Sequence, residues 1–178
     1  MADHPFRMRI VGEEEVPPGQ LFGNPSNFKV HGTFQKQALT GVLREVGWVQ
    51  RIIVNRTTGH ILDGHARVQV ALQHNESLVP VVYVEVSEAE EKLLLASLDT
   101  LVGLADTDSE LLSQLLQDVQ SSDLYIQQML SELAAREGVV PKAEPDAPGE
   151  FPKYDESIPI EHTCPRCGYQ WSGGEGTA

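Results

Sequence analysis

The chain has 178 residues, of which 40% are hydrophobic and 6% aromatic, so it can bury an aliphatic core in one domain with appendages. No apolar run approaches the ~20 residues that span a bilayer, and the N-terminus lacks the apolar stretch of a signal peptide. Both cysteines lie close together near the C-terminus, which excludes a disulfide framework for the main domain. We therefore expect a cytoplasmic protein without a membrane segment.

The net charge of −13 is unevenly distributed along the chain. Residues 1–84 carry eight Lys and Arg against seven Asp and Glu, whereas residues 85–138 carry two against twelve. The last forty residues carry three against seven. Because proteins bind duplex DNA through clustered Lys and Arg that neutralise phosphates, we expect any direct contact with DNA or a nucleotide to come from residues 1–84.

The first fifty residues predict an irregular segment, a loop and a helix. Residues 1–20 are mostly polar and predict an irregular segment or an edge strand. Within them, Glu13–Glu15 is most simply a solvated acidic patch, and the alternative is a catalytic carboxylate. Asn24–Asn27 predicts a turn-rich loop. Apolar residues at every fourth position predict a helix over residues 34–46, which Gly47 ends.

Two strands joined by a hairpin turn follow. Ile52–Val54 is a run of β-branched apolar residues, which is typical of a buried strand. Asn55–Gly59 is rich in turn-forming residues and returns the chain into a second strand that ends at Leu62. This pair of strands leads directly into the junction on which the functional interpretation depends.

At this junction a strand, a tight turn and a helix start follow one another. Asp63-Gly64 is a turn signal, and apolar residues recur at helical spacing after His65. A glycine lets a ligand approach the backbone, and the free N–H groups of a helix N-terminus attract anions. Arg67 adds a guanidinium suited to phosphate. The junction thus predicts a phosphate or nucleotide site; the alternative is an ordinary connection in which Asp63 caps the helix and His65 and Arg67 are solvated.

A strand and three helices are predicted after the junction. Residues 78–86 form an apolar strand, and Pro80 places its start at an edge or an end of the sheet. Ser87–Glu90 is a capping box for a helix that extends to about residue 104, and Thr107–Glu110 repeats the box for the next helix. The third helix spans residues 123–137. Leucine stripes on these helices indicate packing, either on the sheet or on a second copy of the chain.

The C-terminal residues predict a linker and a metal-binding tail. Residues 138–160 are rich in proline and acidic residues without periodicity, as in an extended linker. Cys164 and Cys167 have the spacing of a zinc-ribbon knuckle, and His162 is a third candidate zinc ligand. Because a structural zinc site needs four ligands, the remaining ones would come from a second chain or a distant histidine, or the knuckle is vestigial.

The motifs taken together resemble the N-terminal domain of ParB, within the ParB/sulfiredoxin superfamily, and above all the stand-alone ParB-like domains of phages and mobile elements. The resemblance covers roughly residues 8–135. The residues that carry it are Asn24–Asn27, His31, Gln37, Leu43–Gln50, Ile52–Asn55, Asp63–Arg67 and Val79–Val82. The tail from Phe151 to the cysteine pair also resembles tails in that group.

The resemblance implies an α/β (α+β) fold with a small mixed sheet and flanking helices, followed by a C-terminal helical segment and a zinc-knuckle-like tail. The domain boundaries that we expect are 1–86 for a ParB-like nucleotide-binding core, 87–137 for an acidic helical extension, 138–160 for a Pro-rich linker, and 161–178 for the tail. Members of the superfamily hydrolyse CTP, phosphorylate serine, reduce a sulfinic cysteine or are described as nucleases.

The resemblance also implies a set of site residues. The nucleotide-binding candidates share the phosphate loop and the wall beside it: Gly64, His65, Arg67, Asn24, Asn27 and His31. Asp63 would orient the loop or a metal, and Asp63 and His65 are the catalytic candidates. The expected cofactors are a nucleoside triphosphate, CTP or ATP, with Mg²⁺, and zinc at Cys164, Cys167 and His162.

Several departures from the family pattern bear on function. Ser26 and Ala66 occupy positions where the family often has basic residues, so two phosphate-binding side chains are missing. Asp63 and its neighbours occupy the turn of the sulfiredoxin cysteine, which excludes that reductase activity. Residues 107–137 contain one basic residue against six acids, unlike the basic helix-turn-helix module of partition ParB. We therefore expect no sequence-specific reading of DNA and no chromosome-partition role.

Three functions remain in competition. The leading hypothesis is a nucleotide-binding accessory or regulatory protein in phage or mobile-element DNA metabolism. Its expected partners are a nucleotide, DNA through residues 1–84 or a DNA-modifying protein, and a second copy in a homodimer. The first alternative is a nucleotide-dependent enzyme: an NTP hydrolase, a kinase-like enzyme or a metal-dependent DNA nuclease. The second alternative is an assembly module whose pocket binds no nucleotide.

Overall fold

A four-stranded mixed sheet with helices around it forms the first part of the protein. The structure is a computed structural model that describes residues 6–139 and 162–171. The elements of the first part are β1 (Ile10–Val16), a short 3-10 helix (Pro18–Gln20), α1 (Thr33–Glu45), β2 (Ile52–Asn55), β3 (Ile61–Asp63), α2 (His65–Gln73), β4 (Val79–Val84), α3 (Glu88–Val102), α4 (Ser109–Asp118) and α5 (Leu124–Arg136). The elements of the second part are β5 (His162–Thr163) and β6 (Gln170–Trp171).

The strand order in the sheet is β1-β4-β2-β3. β4 pairs antiparallel with β1 and parallel with β2, and β2 pairs antiparallel with β3 across the predicted hairpin turn. The predicted small mixed sheet is therefore confirmed, with β1 at an edge. Although β4 is an interior strand, its pairing with β2 begins at Val81, so Pro80 lies at the strand end, where its missing N–H costs no bond to β2.

Aliphatic side chains from the sheet and α2 form the core, as the scarcity of aromatic residues predicts. The buried members of this core are Val16, Ile52, Val54, Ile61, Val68, Ala71, Val79 and Val81. Three of them, on β2 and β4, have no exposed surface. The interior strands are consequently rigid supports for the loops that leave their ends.

The predicted helix starts are confirmed with one exception. Ser87 caps α3, and Glu90 completes the capping box by accepting a bond from the Ser87 N–H. The prediction of a second box at Thr107 is wrong by one residue. Asp108 is the N-cap of α4, and its carboxylate accepts bonds from the N–H groups of Glu110 and Leu111 at 3.1 and 3.0 Å. A carboxylate satisfies two N–H groups at once and is favoured by the helix dipole.

The helical segment at the end of the first part packs back onto α1. Gly41 of α1 is buried, and a Cβ placed on it would lie 2.7 Å from the Asp123 side chain, the N-cap of α5. Phe34 and Tyr125 add an edge-to-face ring contact with centroids 6.4 Å apart. Residues 6–139 belong to one compact unit, and residues 162–171 belong to another. Among these described residues, no helix is long and apolar enough to cross a membrane.

Candidate functional site

Gly64 makes the sharp turn between β3 and α2. Its φ of 101° lies in the left-handed region that favours glycine. A Cβ at this position would also lie 3.1 Å from Ile52 and 3.3 Å from the Arg67 guanidinium. The predicted strand, turn and helix start are confirmed, and both the backbone angle and the crowding explain why the residue at the turn has no side chain.

The N-terminus of α2 has no side-chain cap, so its first N–H groups are not satisfied by a neighbouring side chain in the described structure. The alternative in which Asp63 caps the helix is wrong. Its carboxylate instead accepts a bond from Arg67 Nη2 at 2.6 Å. Uncapped N–H groups and the positive end of the helix dipole favour an anion at this point.

A cleft of about 550 Å³ lies against this helix end. Six of the predicted site residues line it: Asn27, His31, Asp63, Gly64, His65 and Arg67. Lys29 and Asp99, which the sequence interpretation did not select, also line it and form an ion pair with each other. The lining also has an apolar part, which includes Phe34, Ala38, Leu39, Val42, Leu62, Leu95 and Met129. The cleft thus joins cationic and N–H groups to a surface that an aromatic ring could cover.

Arg67 is a fixed cation rather than a free one. Its side chain is only 13% exposed and bonds to Asp63, to the Arg51 carbonyl oxygen at 3.3 Å and to the Gln50 side-chain oxygen. Its Nε is buried without a hydrogen-bond partner in the described structure. The alternative in which Arg67 is simply solvated is therefore wrong. The guanidinium lies beside Gly64, held in one orientation and partly neutralised by Asp63.

His65 is neutral and holds one defined proton. Its Nε2 accepts the backbone N–H of Asn24 at 3.2 Å. Because a backbone N–H can only donate, the ring proton must be on Nδ1. Burial lowers the pKa of His65, the nearby His31 lowers it further, and the Asp63 carboxylate opposes both.

Asn24 lies beneath the cleft rather than in its lining. It is 6% exposed, its side-chain N–H₂ donates to Glu91 at 2.6 Å, and its side-chain oxygen accepts the Ser26 N–H at 2.9 Å. Since its backbone N–H also holds His65, Asn24 connects the interior of the domain to the site. Asn24 is predicted to line the wall of the site, but in the structure it supports the lining residue His65 instead.

Glu91 is the centre of a buried hydrogen-bond network that the sequence interpretation missed. It is 6% exposed and accepts bonds from Asn24 and Asn55, both at 2.6 Å, and from Thr58 at 2.7 Å, with His60 at 3.3 Å. Burial raises the pKa of Glu91, but these hydrogen bonds outweigh burial and lower the pKa overall. We call these five residues the Glu91 network.

A sequence signal for this network does exist. Glu91 precedes Leu94, Leu95 and Leu98 by three, four and seven residues, which is the spacing of one helix face. An acid on an apolar helix face requires buried donors, because burying an unpaired carboxylate is costly. Asn55, which directly follows the apolar run Ile52–Val54, is the matching signal on β2.

The acidic run on β1 is not part of the cleft. β1 and β3 are the two edge strands, separated by β4 and β2, so Glu13–Glu15 and Asp63 lie on backbones roughly 14 Å apart. Glu13 forms an ion pair with Arg51 at 2.8 Å. The alternative in which one of these glutamates provides a catalytic carboxylate beside Asp63 is therefore not supported. In the described part of the chain, no three His, Cys, Asp or Glu side chains are grouped as metal ligands.

The cysteine pair lies in the turn between β5 and β6. The Cys164 N–H bonds to the Tyr169 carbonyl oxygen at 2.7 Å, and the Gly168 N–H bonds to the Cys164 carbonyl oxygen at 2.9 Å. Backbone N–H groups of Arg166 and Cys167 lower the pKa of the Cys164 thiol, which favours the thiolate that metals bind. The side chain of His162 is outside the described residues, so zinc binding at Cys164, Cys167 and His162 stays a prediction.

Comparison with known proteins shows the fold. No family model and no curated protein matches the chain. Among solved structures, it is similar to the C-terminally truncated chromosome-partitioning protein ParB from Caulobacter crescentus, in a structure complexed with CTP-gamma-S. The two chains are 22% identical over 60% of this chain and 62% of ParB, with a TM-score of 0.50.

A Pnob8-like ParB-N domain is 16% identical over 74% of this chain and 52% of its own length, with a TM-score of 0.42. The Caulobacter likeness shows a ParB-like fold over 60% of the chain. The chain matches less than two thirds of that ParB structure.

Proposed function

We propose that the protein is a ParB-like nucleotide-binding domain that acts as an accessory or regulatory protein in phage or mobile-element DNA metabolism. The observation that carries the proposal is the cleft, where an uncapped helix N-terminus meets basic side chains. Phosphates would be held by the α2 N–H groups, Arg67, His65, His31 and Lys29. The volume of about 550 Å³ lies within the range usual for small-molecule sites.

The apolar wall supports a nucleotide over a simple phosphate ion. Phe34, Leu39 and Val42 of α1 line the same cleft as the polar groups and offer a surface for a base or ribose. The ligand class is a nucleoside triphosphate, with CTP or ATP as the first candidates, because the solved ParB structure of similar fold contains CTP-gamma-S.

The donor set at the cleft also fits Mg²⁺ delivered with the triphosphate. Mg²⁺ commonly takes one or two carboxylates together with phosphate oxygens, and Asp63 and Asp99 are carboxylates that line the cleft. Both are paired with cations, Asp63 with Arg67 and Asp99 with Lys29. When bound, the ion would neutralise phosphate charge.

Calorimetric titration with CTP, ATP, ADP and GTP in the presence of Mg²⁺ tests the proposal. Arg67→Ala should weaken binding at least tenfold, about 1.4 kcal/mol, because it removes a charged donor. Arg44→Ala is the matched control, since Arg44 is exposed and outside the cleft. Circular dichroism must show both variants folded. Equal affinity in Arg67→Ala, or no binding of any of the four nucleotides, would contradict the proposal.

The enzyme alternative has one specific observation in its favour. Asp63 and the neutral His65 line the same cleft, so a carboxylate that can accept a proton and an imidazole N–H that can donate a hydrogen bond would lie beside a bound phosphate. Phosphate release from CTP or ATP that is lost in His65→Gln would support turnover. Binding without release from any nucleotide would favour a regulatory role.

A further inference from the structure

The segment from residue 101 to residue 124, which includes α4 and the ends of its two neighbouring helices, exposes many apolar side chains. We call this the leucine face. Its members are exposed by 40–79% and are Leu101, Val102, Leu104, Leu111, Leu115, Val119 and Leu124. Scattered exposed apolar residues are ordinary on a protein surface, but seven within 24 consecutive residues are not.

α4 contributes Leu111 and Leu115 to the leucine face, and neither side of this helix is fully buried. Its apolar residues recur at helical spacing, yet none of its residues is buried. Leu112 and Leu116 are half-buried, whereas Leu111 and Leu115, one turn apart, point to solvent. A ten-residue helix is too short to be stable alone in water, so α4 depends on apolar contacts that its own domain supplies only in part.

The charges around the leucine face indicate what kind of surface would cover it. Residues 101–124 contain five acidic residues and no Lys or Arg. Two copies packed through this face would place acids against acids, and residues 101–124 contain no basic side chain that could offset the cost. A covering surface that supplies both apolar contacts and positive charge is complementary.

We propose that the leucine face binds a basic amphipathic helix of a partner protein. Leu111 and Leu115 form a ridge at the spacing that packs between the apolar side chains of another helix. Lysines or arginines on the flanks of that helix would face Glu110 and Asp118 at the two ends of α4. The proposal does not depend on nucleotide binding in the cleft.

The test uses the full chain and a fluorescent 18-residue peptide with leucines on one helix face and lysines on the other. Two control peptides have glutamates in place of the lysines, or the same composition scrambled to remove the helical periodicity. Fluorescence anisotropy should show binding of the first peptide only, weakening as salt rises. Leu111→Ser/Leu115→Ser should weaken binding at least tenfold. Val46→Ser/Val49→Ser, a matched apolar-to-serine change at two exposed valines outside the leucine face, should leave the affinity unchanged.

Each of the following results would overturn the proposal. Equal binding of the scrambled peptide, or unchanged affinity in the double leucine variant, would show attraction by charge alone. A micromolar dimer in sedimentation that dissociates in that variant would show that a second copy covers the face. If the double leucine variant does not fold, Glu110→Gln/Asp118→Asn replaces it in the peptide-binding test. It should lower both the affinity and the salt dependence, and unchanged values would contradict the proposal.

Discussion

Replacing Glu91 by glutamine should destabilise the domain and disturb the cleft. Oε1 of Glu91 faces Asn24 and His60, and Oε2 faces Asn55 and Thr58. A glutamine converts one oxygen into an N–H₂ donor. In either orientation of its amide, that donor then faces the side-chain N–H₂ of Asn24 or of Asn55. One buried acceptor is lost and two donors oppose each other.

The expected loss of stability follows from the hydrogen bonds that Glu91→Gln removes. A hydrogen bond to a charged group contributes about 1.5–3 kcal/mol, and an unsatisfied buried donor costs about 1–3 kcal/mol. Asn24 and Asn55 are buried, so water cannot replace the missing acceptor. We expect Glu91→Gln to lower the free energy of unfolding by about 3 kcal/mol in urea titrations followed by circular dichroism. Glu88→Gln, an exposed change on the same helix turn, should stay within about 0.5 kcal/mol of wild type.

Adding Asn24→Asp to Glu91→Gln should restore the network, because the donor and the acceptor of one hydrogen bond are then exchanged. In Asn24→Asp/Glu91→Gln, the new amide donates to the new carboxylate, while the amide oxygen still accepts from Asn55 and Thr58. The second oxygen of the new carboxylate can still accept the Ser26 N–H. The net charge is unchanged. We expect at least about 2 kcal/mol of the lost stability to return, although Asn24→Asp alone opposes two carboxylates.

The same pair of variants reports on the site. The Asn24 N–H fixes His65, so nucleotide affinity should fall in Glu91→Gln and recover in the double variant. The reasoning is refuted if Glu91→Gln is as stable as wild type. It is also refuted if the double variant is no more stable than its less stable parent.

Two further predictions concern pH and backbone strain. The pKa of His65 is lowered from its ordinary value of 6.5 and that of Glu91 from 4.5, so the unfolded chain binds more protons than the folded one below each value. The free energy of unfolding should therefore fall as the pH drops below 6.5 and again below 4.5, each step by at most about 1.4 kcal/mol per pH unit. Urea titrations across this range should lose the first step in His65→Gln and show a smaller second step in Glu91→Gln, since hydrogen bonds also lower the pKa of Glu90 and Glu137. Steps of unchanged size in the variants would assign them to other groups. Gly64→Ala should cost about 2–4 kcal/mol, because a left-handed backbone angle and a close Ile52 side chain both oppose a Cβ. Gly47→Ala is the comparison, since Gly47 has a similar φ of 90° with open space around it, and it should cost only about 1–2 kcal/mol. Equal melting curves for the two glycine variants would contradict the crowding at Gly64.

The parts of the fold that the sequence predicts are those set by neighbours in the chain. The turn at Gly64 and the capping box at Ser87 depend on residues within one helical turn of each other, so their chemistry is visible in the sequence. The sequence misplaces the cap of α4 by one residue because Thr107 and Asp108 are both good N-caps, and only the path of the loop decides between them.

The parts that the sequence does not predict are those that need distant segments brought together. Glu91 and Asn24 are 67 residues apart, and no local motif at either residue indicates the other as its partner. Lys29 has no signal in the sequence, because an exposed lysine in a loop is ordinary until the fold places it beside Asp99 at the cleft. The six predicted site residues that line the cleft follow from the family resemblance together with the local turn.

The acidic run on β1 has a consequence for how the protein behaves in a crowded solution. Within residues 6–139 and 162–171, β1 pairs with β4 on one side only, and the other side of an edge strand presents N–H and C=O groups to which a foreign strand can add. Glu13, Glu14 and Glu15 occupy the middle of that edge and are largely exposed. An approaching strand would have to desolvate or face three consecutive carboxylates. The run thus guards the sheet against edge-to-edge aggregation.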